Sequence, residues 1–221
     1  MKRNSIKVGA FALALFAGFA FTTTNNATTS TGGDEILAIG KAAPEKELKM
    51  KDVSGKELSL EDISEENGLL VVFSCNTCPF VVGSGESNEG WEGRYNAVYD
   101  MASKQKIGMV LINSNEAKRE GVDSFEEMKG HAKTNKYKSH YVEDTNHKLA
   151  DAFGAKTTPH VFLFDKNMKL VYKGAIDDNV KDSKAVKEEY LKDAMNNLAA
   201  GKKISPNSTR QLGCSIKRVK S

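Results

Sequence analysis

An α/β layer with at least part of its sheet parallel is the fold class this sequence predicts, and three observations predict it. Apolar runs at 69–73, 107–112 and 160–165 read as buried strands. Patterns at helical spacing lie between them, over 91–104, 124–136 and 146–153. Strands that alternate with helices need crossover connections, which place neighbouring strands parallel.

The chain of 221 residues opens with a segment unlike the rest. Residues 1–24 read as a secretory signal: Lys2, Arg3 and Lys7 supply a charged start, and an uncharged Ala, Leu, Phe and Gly stretch follows that is too short to span a bilayer comfortably. The expected location is therefore exported, periplasmic or extracellular, with an N-terminal membrane anchor as the alternative if the segment is not cleaved. Removing those three charges leaves as many basic as acidic residues, 29 of the latter. Nothing in that balance points to nucleic acid or to an anionic membrane. Residues 25–35, rich in Thr, Asn, Ser and Gly, read as a tether. The expected folded domain covers 36–205, and a basic tail with Cys214 covers 206–221.

Within the domain, 47–52, a turn at Ser54 and Gly55, and 56–60 suggest an N-terminal hairpin extension. The strand ending at Phe73 then delivers two thiols, Cys75 and Cys78, to what reads as a helix start, with Pro79 in its first turn, where no intrahelical hydrogen bond is lost. Three positions along a helix bring Cβ atoms to about 5–6 Å, within reach of a disulfide. Partial positive charge at a helix start favours a thiolate. This makes Cys75 the expected nucleophile and Cys78 the expected deeper, resolving thiol. The other readings of the pair are a structural disulfide or half of a zinc site, but zinc wants two more Cys or His at matching spacing, and no second CxxC or HxxxH occurs.

Gly83, Gly85, Gly90 and Gly93 interrupt any long helix after Pro79. Trp91, Tyr95, Val98 and Ala102 then recur at helical spacing and read as core. The second strand ends at Asn113, Ser114 and Asn115; Ser124 with Glu127 three residues on suggests a capped helix. Gly154 marks the stop of the next helix. Thr158 and Pro159 precede the strand His160 to Asp165, a turn at Lys166 and Asn167 leads to 170–173, and a helix over 183–200 closes the domain. His160 reads either as a solvated histidine at the strand start or as a neighbour that stabilises the Cys75 thiolate. Cys214 makes the cysteine count odd, so it is either a third redox thiol that folds back toward the pair or a bystander. The basic residues around it read as a solvated tail.

The run Cys75-Asn76-Thr77-Cys78-Pro79 after a buried strand, Thr158-Pro159 before another, the stretch 171–178 and the tail Gly213-Cys214-Ser215-Ile216-Lys217 together resemble the thioredoxin superfamily, nearest its redoxin branch related to alkyl hydroperoxide reductase and thiol-specific antioxidant (AhpC/TSA) proteins. Within that branch the chain is similar to secreted or periplasmic members with a CNxCP motif. The resemblance implies a thioredoxin-like fold, a central mixed sheet flanked by helices; thiol-disulfide exchange by Cys75 and Cys78; Thr158 and a cis Pro159 as substrate-positioning residues; and no cofactor or metal. Pro79, His160 and Cys214 are accessory candidates. Two departures stand out. The approach to the thiols, Leu69 to Phe73, lacks the buried Asp that many thioredoxins carry, and the Thr that peroxiredoxins place three residues before their reactive Cys is replaced by Val72 before Cys75 and by Cys75 before Cys78.

The function expected from the sequence is therefore an extracytoplasmic oxidoreductase that reduces or forms disulfides in protein or small-molecule substrates. A membrane thiol-transfer protein is the expected electron donor, and the chain is expected as a monomer or weak dimer. The alternatives are a soft-metal (copper) module with a histidine as third ligand, a thiol peroxidase, and a binding scaffold without redox activity.

Overall fold

In the computed structural model the described residues are Met1 and 35–219. The expected signal and all but the last residue of the expected tether, Met1 apart, lie outside the described residues. In chain order the elements are β1 (Met50–Asp52), β2 (Glu57–Leu58), α1 (Leu60–Ile63), β3 (Gly68–Ser74), α2 (Pro79–Val82), α3 (Tyr95–Lys104), β4 (Ile107–Asn113), α4 (Phe125–Thr134), β5 (His140–Glu143), α5 (Lys148–Phe153), β6 (Thr157–Thr158), β7 (His160–Asp165), β8 (Leu170–Gly174), α6 (Tyr190–Ala199) and β9 (Cys214–Ser215). Seven strands form one mixed sheet in the order β2-β1-β5-β4-β3-β7-β8, and β6 pairs separately with β9. The central pairs β3 with β4 and β4 with β5 are parallel, and β7 and β8 add antiparallel. This is the mixed, helix-flanked sheet of the thioredoxin-like fold. The leading hairpin is continuous with it, because β1 pairs with β5 and extends the sheet edge.

Alternation along the buried strands sorts side chains into two cores. Leu70, Val72, Leu111, Val161 and Leu163 face one side, where α3, α4 and α6 cover them with Tyr95, Ala102, Met128, Leu191 and Met195. Leu69, Val71, Phe73, Ile112, Phe162 and Phe164 face the other, against α1 and α5. There Phe153 meets Phe73 and Phe162 edge-on at 5.4 and 5.2 Å between centroids, a geometry aromatic rings prefer. Both thiols of the CxxC pair belong to the first core. Burying each such Leu, Val or Phe contributes about 1.5–3 kcal/mol, so the strand that carries the thiols is held from both sides.

Two expected helices are shorter than their patterns, for local reasons. The pattern over 91–104 opens as a 3-10 turn at Glu92–Arg94 before α3 begins. The closing pattern over 183–200 holds a 3-10 turn at Ser183–Ala185 and then α6. Between those two pieces the backbone bonds elsewhere: Lys187 N–H donates to Asp178 Oδ1 and Asp178 N–H to Glu188 O. Ser124 caps α4 as its spacing predicts, accepting from Glu127 N–H at 3.2 Å.

The expected solvated tail is corrected by the structure. Thr209 N–H donates to Lys173 O, Ile216 N–H to Lys156 O, and Lys217 O accepts from Ala117 N–H. Ile216 is buried in the second core, and Arg218 donates to Asp151 and to Ala155 O, each at 2.7 Å. The basic residues decorate a strap whose backbone and apolar side chain are bound. No helix among the described residues is long and apolar enough to cross a membrane.

Candidate active site

The thiols sit where the parallel part of the sheet ends. Ser74, last residue of β3, is in register with Asn113, last residue of β4, so the Cys75 loop and the Asn113 to Asn115 turn leave the sheet side by side. The carboxyl ends of parallel strands are where open α/β sheets build their sites. Buried polar groups fix the loop. Asn76 N–H donates to Asp123 Oδ1 at 2.9 Å, its Nδ2 donates to Val122 O at 2.9 Å, and its Oδ1 accepts from Tyr141 Oη at 2.8 Å. Asp123, fully buried, also accepts from Asn113 Nδ2 at 2.8 Å and from Asn115 Nδ2 at 3.0 Å. The first residue between the two cysteines is thus held on every polar atom of its side chain.

After Thr77 the chain turns into α2. Pro79 is its first residue, Cys78 is its N-cap, and Gly83 ends it at φ 82°, where an added Cβ would lie 2.6 Å from Asn88 O. The Thr158–Pro159 peptide bond is cis. Thr158 faces both thiols, with its Oγ1 3.2 Å from Cys75 Sγ and its carbonyl O 3.1 Å from Cys78 Sγ, which donates to it when protonated.

The expectation that Cys78 is the deeper thiol is corrected by this geometry. The helix starts at Pro79, so Cys78 rather than Cys75 occupies its N-terminus, and Cys75 is the deeper thiol, 1% exposed against 5%. A hydrogen bond from Cys75 holds the Cys78 thiol well below the usual range despite burial, helped by the Cys214 side chain and by the backbone N–H groups of Cys214 and Phe80. That same bond, with burial added, pushes Cys75 up.

His160 is corrected as well. It is neither solvated nor beside Cys75: it is buried, paired in register with Phe73, and its ring packs 4.4 Å from that of Phe162 on the opposite face of the sheet. Burial, with Lys173 nearby, lowers its pKa to about 3, so the ring is neutral. Cys214, by contrast, arrives at the site. It stands opposite Thr158 in the β6–β9 ladder, half-buried and packed against the core that holds both thiols. A cavity of about 110 Å³ is lined by the three thiols with Asp123, Lys118 and Lys217 at its walls. Among the described residues no group of three or more His, Cys, Asp and Glu could hold a metal ion.

Asp123, Asn76, Asn113 and Asn115 are the site residues that the sequence did not single out. The one signal available was the polar triplet Asn113-Ser114-Asn115 closing an apolar strand beside the thiol-bearing strand.

Comparison with known proteins agrees with this frame. No curated protein matches the chain. An uncharacterized conserved protein from Geobacillus kaustophilus superposes with a TM-score of 0.75 at 29% identity, over 85% of this chain and 95% of that one. A hypothetical protein from Sinorhizobium meliloti gives 0.74 at 27%, over 86% and 100%. PrxQ from Xylella fastidiosa gives 0.53 at 14%, over 76% and 99%, and shares the fold alone. The family model for AhpC/TSA proteins matches residues 39–173, which span β1 to β8 and hold Cys75, Cys78, Thr158 and Pro159, and the chain therefore belongs to the AhpC/TSA family.

Proposed function

We propose that this chain is a thiol-disulfide oxidoreductase of an extracytoplasmic compartment, with Cys75 and Cys78 as its redox couple and Thr158 and Pro159 as the residues that position the substrate. The observation that carries the reading is the convergence of both thiols on one residue, Thr158, whose hydroxyl meets Cys75 and whose carbonyl meets Cys78. In the reducing direction the Cys78 thiolate attacks a sulfur of the substrate disulfide, and the displaced sulfur leaves as a thiolate that takes up a proton. Cys75 then gives up its proton and attacks Cys78 Sγ, which breaks the mixed disulfide, releases the second substrate thiol and leaves the Cys75–Cys78 disulfide. Two electrons pass from the couple to the substrate. A donor outside the chain, by our reading a membrane thiol-transfer protein, restores the dithiol; in the oxidising direction every step reverses.

Export rests on the leading charged and apolar segment of the sequence. A peroxidase would want a hydroxyl three residues before its reactive thiol. Val72 occupies that place before Cys75 and is packed in the first core; the place before Cys78 is Cys75 itself. A copper site would want a histidine beside the two thiols, and His160 lies on the other face of the sheet. Turnover of glutathione disulfide or insulin by the purified chain, in the presence of a chelator, tests the proposal. Turnover that is lost in both Cys75→Ser and Cys78→Ser supports it. Turnover of hydrogen peroxide alone would replace it with the peroxidase reading.

A further inference from the structure

We propose that Cys214 is a third redox thiol of the site, which exchanges with Cys78 so that the protein's disulfide has two alternative positions, an inner Cys75–Cys78 and an outer Cys78–Cys214. This inference rests on the reading of Cys75 and Cys78 as a redox couple and extends it.

The placement of Cys214 is built in. The strap is clamped after Cys214 by buried Ile216, by Lys217 N–H to Asn115 Oδ1 at 2.8 Å and by Arg218 on Asp151, and before it by Thr209 on Lys173. Between the clamps, Thr157 pairs with Ser215 and Thr158 with Cys214. The approach is so close that an added Cβ on Gly213 would lie 2.3 Å from Thr158 O, so only glycine admits the strap at this depth. An extended segment thereby lies along Thr157 and Thr158, the second of which is a proposed substrate-positioning residue, and it carries a cysteine at the register of Thr158. Backbone pairing to a free strand edge is a general way to present a peptide, and here the chain presents its own.

The three thiols line one cavity of about 110 Å³, and Thr158 links them: its hydroxyl meets Cys75, its carbonyl accepts from Cys78, and its backbone pairs with Cys214. Exchange needs no outside reagent. Starting from the inner disulfide, Cys214 loses its proton and its sulfur attacks Cys78 Sγ. The Cys78–Cys214 bond forms as the Cys75–Cys78 bond breaks, and the electron pair leaves on Cys75, which takes up a proton. The protein stays at the same oxidation level. Cys214 is also the more exposed member of the outer pair, so the exchange carries the disulfide from a buried position to one nearer solvent. In the reduced protein, burial and Cys78 raise the Cys214 thiol to about 11.

The test uses the full chain, equilibrated in reduced and oxidised glutathione, quenched with acid, alkylated and mapped by mass spectrometry without reduction. The expected result is an intramolecular Cys78–Cys214 disulfide in Cys75→Ser and both linkages in the unaltered chain. Because a second linked form adds its population to the oxidised state, Cys214→Ser is expected to lower the apparent oxidation constant by about twofold if the two forms are equally populated. Should Cys75→Ser fold poorly by circular dichroism, the linkages in the unaltered chain and the Cys214→Ser constant decide. A Cys75–Cys78 couple that cycles normally, while Cys78 and Cys214 are only ever glutathionylated and never linked, would overturn this inference and leave the redox reading intact. Absence of any linkage among the three thiols would overturn both.

Discussion

The hydroxyl of Thr158 lies 3.2 Å from Cys75 Sγ. Cys75 has few other polar neighbours, since the strand that delivers it is apolar on both faces. The hydroxyl bond helps the reduced form, where the sulfur carries charge or shares a proton, more than the disulfide, whose sulfur is a weak acceptor. Thr158→Val keeps the shape and removes this bond. A net hydrogen bond of about 1 kcal/mol corresponds to roughly 20 mV for a two-electron couple, so the variant's potential should move by about that amount to more negative values. Equilibration with glutathione measures it, and a shift in the opposite direction would show that Thr158 serves the disulfide instead.

Asp123 holds the loop between the thiols. Its carboxylate accepts three buried N–H groups, from Asn76, Asn113 and Asn115. Asp123→Ala strands all three, and a buried donor without a partner costs about 1–3 kcal/mol. Urea unfolding should show a loss of about 3–5 kcal/mol, toward the lower end of the summed range because the loop can relax. A loss below about 1 kcal/mol, the size usual for surface substitutions, would mean the network is dispensable.

His160 makes stability depend on pH. Its folded pKa, about 3, lies below the ordinary 6.5, so between those values the unfolded chain binds more protons and stability falls as pH falls. At pH 5 the loss from this residue is about 2 kcal/mol, and it grows toward pH 3. Denaturant unfolding at pH 7.5 and pH 5 should show that loss in the unaltered chain and a smaller one in His160→Phe, which fills the same space beside Phe162. Equal losses in both would place the titrating group elsewhere.

The contrast between His160 and the thiols shows what the sequence made legible. Strands, helices and the CxxC pair are written in short-range periodicity, so Cys75, Cys78, Pro79 and Thr158 were visible together with the α/β order. His160 was not, because which face of β7 it joins depends on the register of β7 against β3, a pairing across some ninety residues. The same holds for Asp123, which reaches Asn76 across 47 positions, and for the tail. Its basic residues suggested solvent, while a single apolar residue, Ile216, and a glycine that fits under Thr158 decided its path. The depth of the thiols was misread for a smaller reason: the helix starts at Pro79, with Cys78 rather than Cys75 as its N-cap.

That helix start predicts which thiol reacts. Cys78 is the less buried thiol and the helix N-cap, so iodoacetamide should alkylate Cys78 before Cys75 in the reduced protein, at a rate whose pH midpoint falls below the free-thiol value of about 8.5. Peptide mapping after brief labelling reads the order. Labelling of Cys75 first would restore it as the nucleophile.

The central claim is that Cys75 and Cys78 form one reversible two-electron couple. Equilibrating the chain across a series of glutathione ratios and counting free thiols by mass tests it most directly. The account predicts a single transition that removes two thiols together, with the linkage shared among Cys75, Cys78 and Cys214 and no cooperative transition in Cys78→Ser; where its midpoint falls between about −270 mV and about −120 mV assigns the direction of flow. Thiols that are lost one at a time, each as a mixed disulfide with glutathione and without any internal linkage, would contradict it.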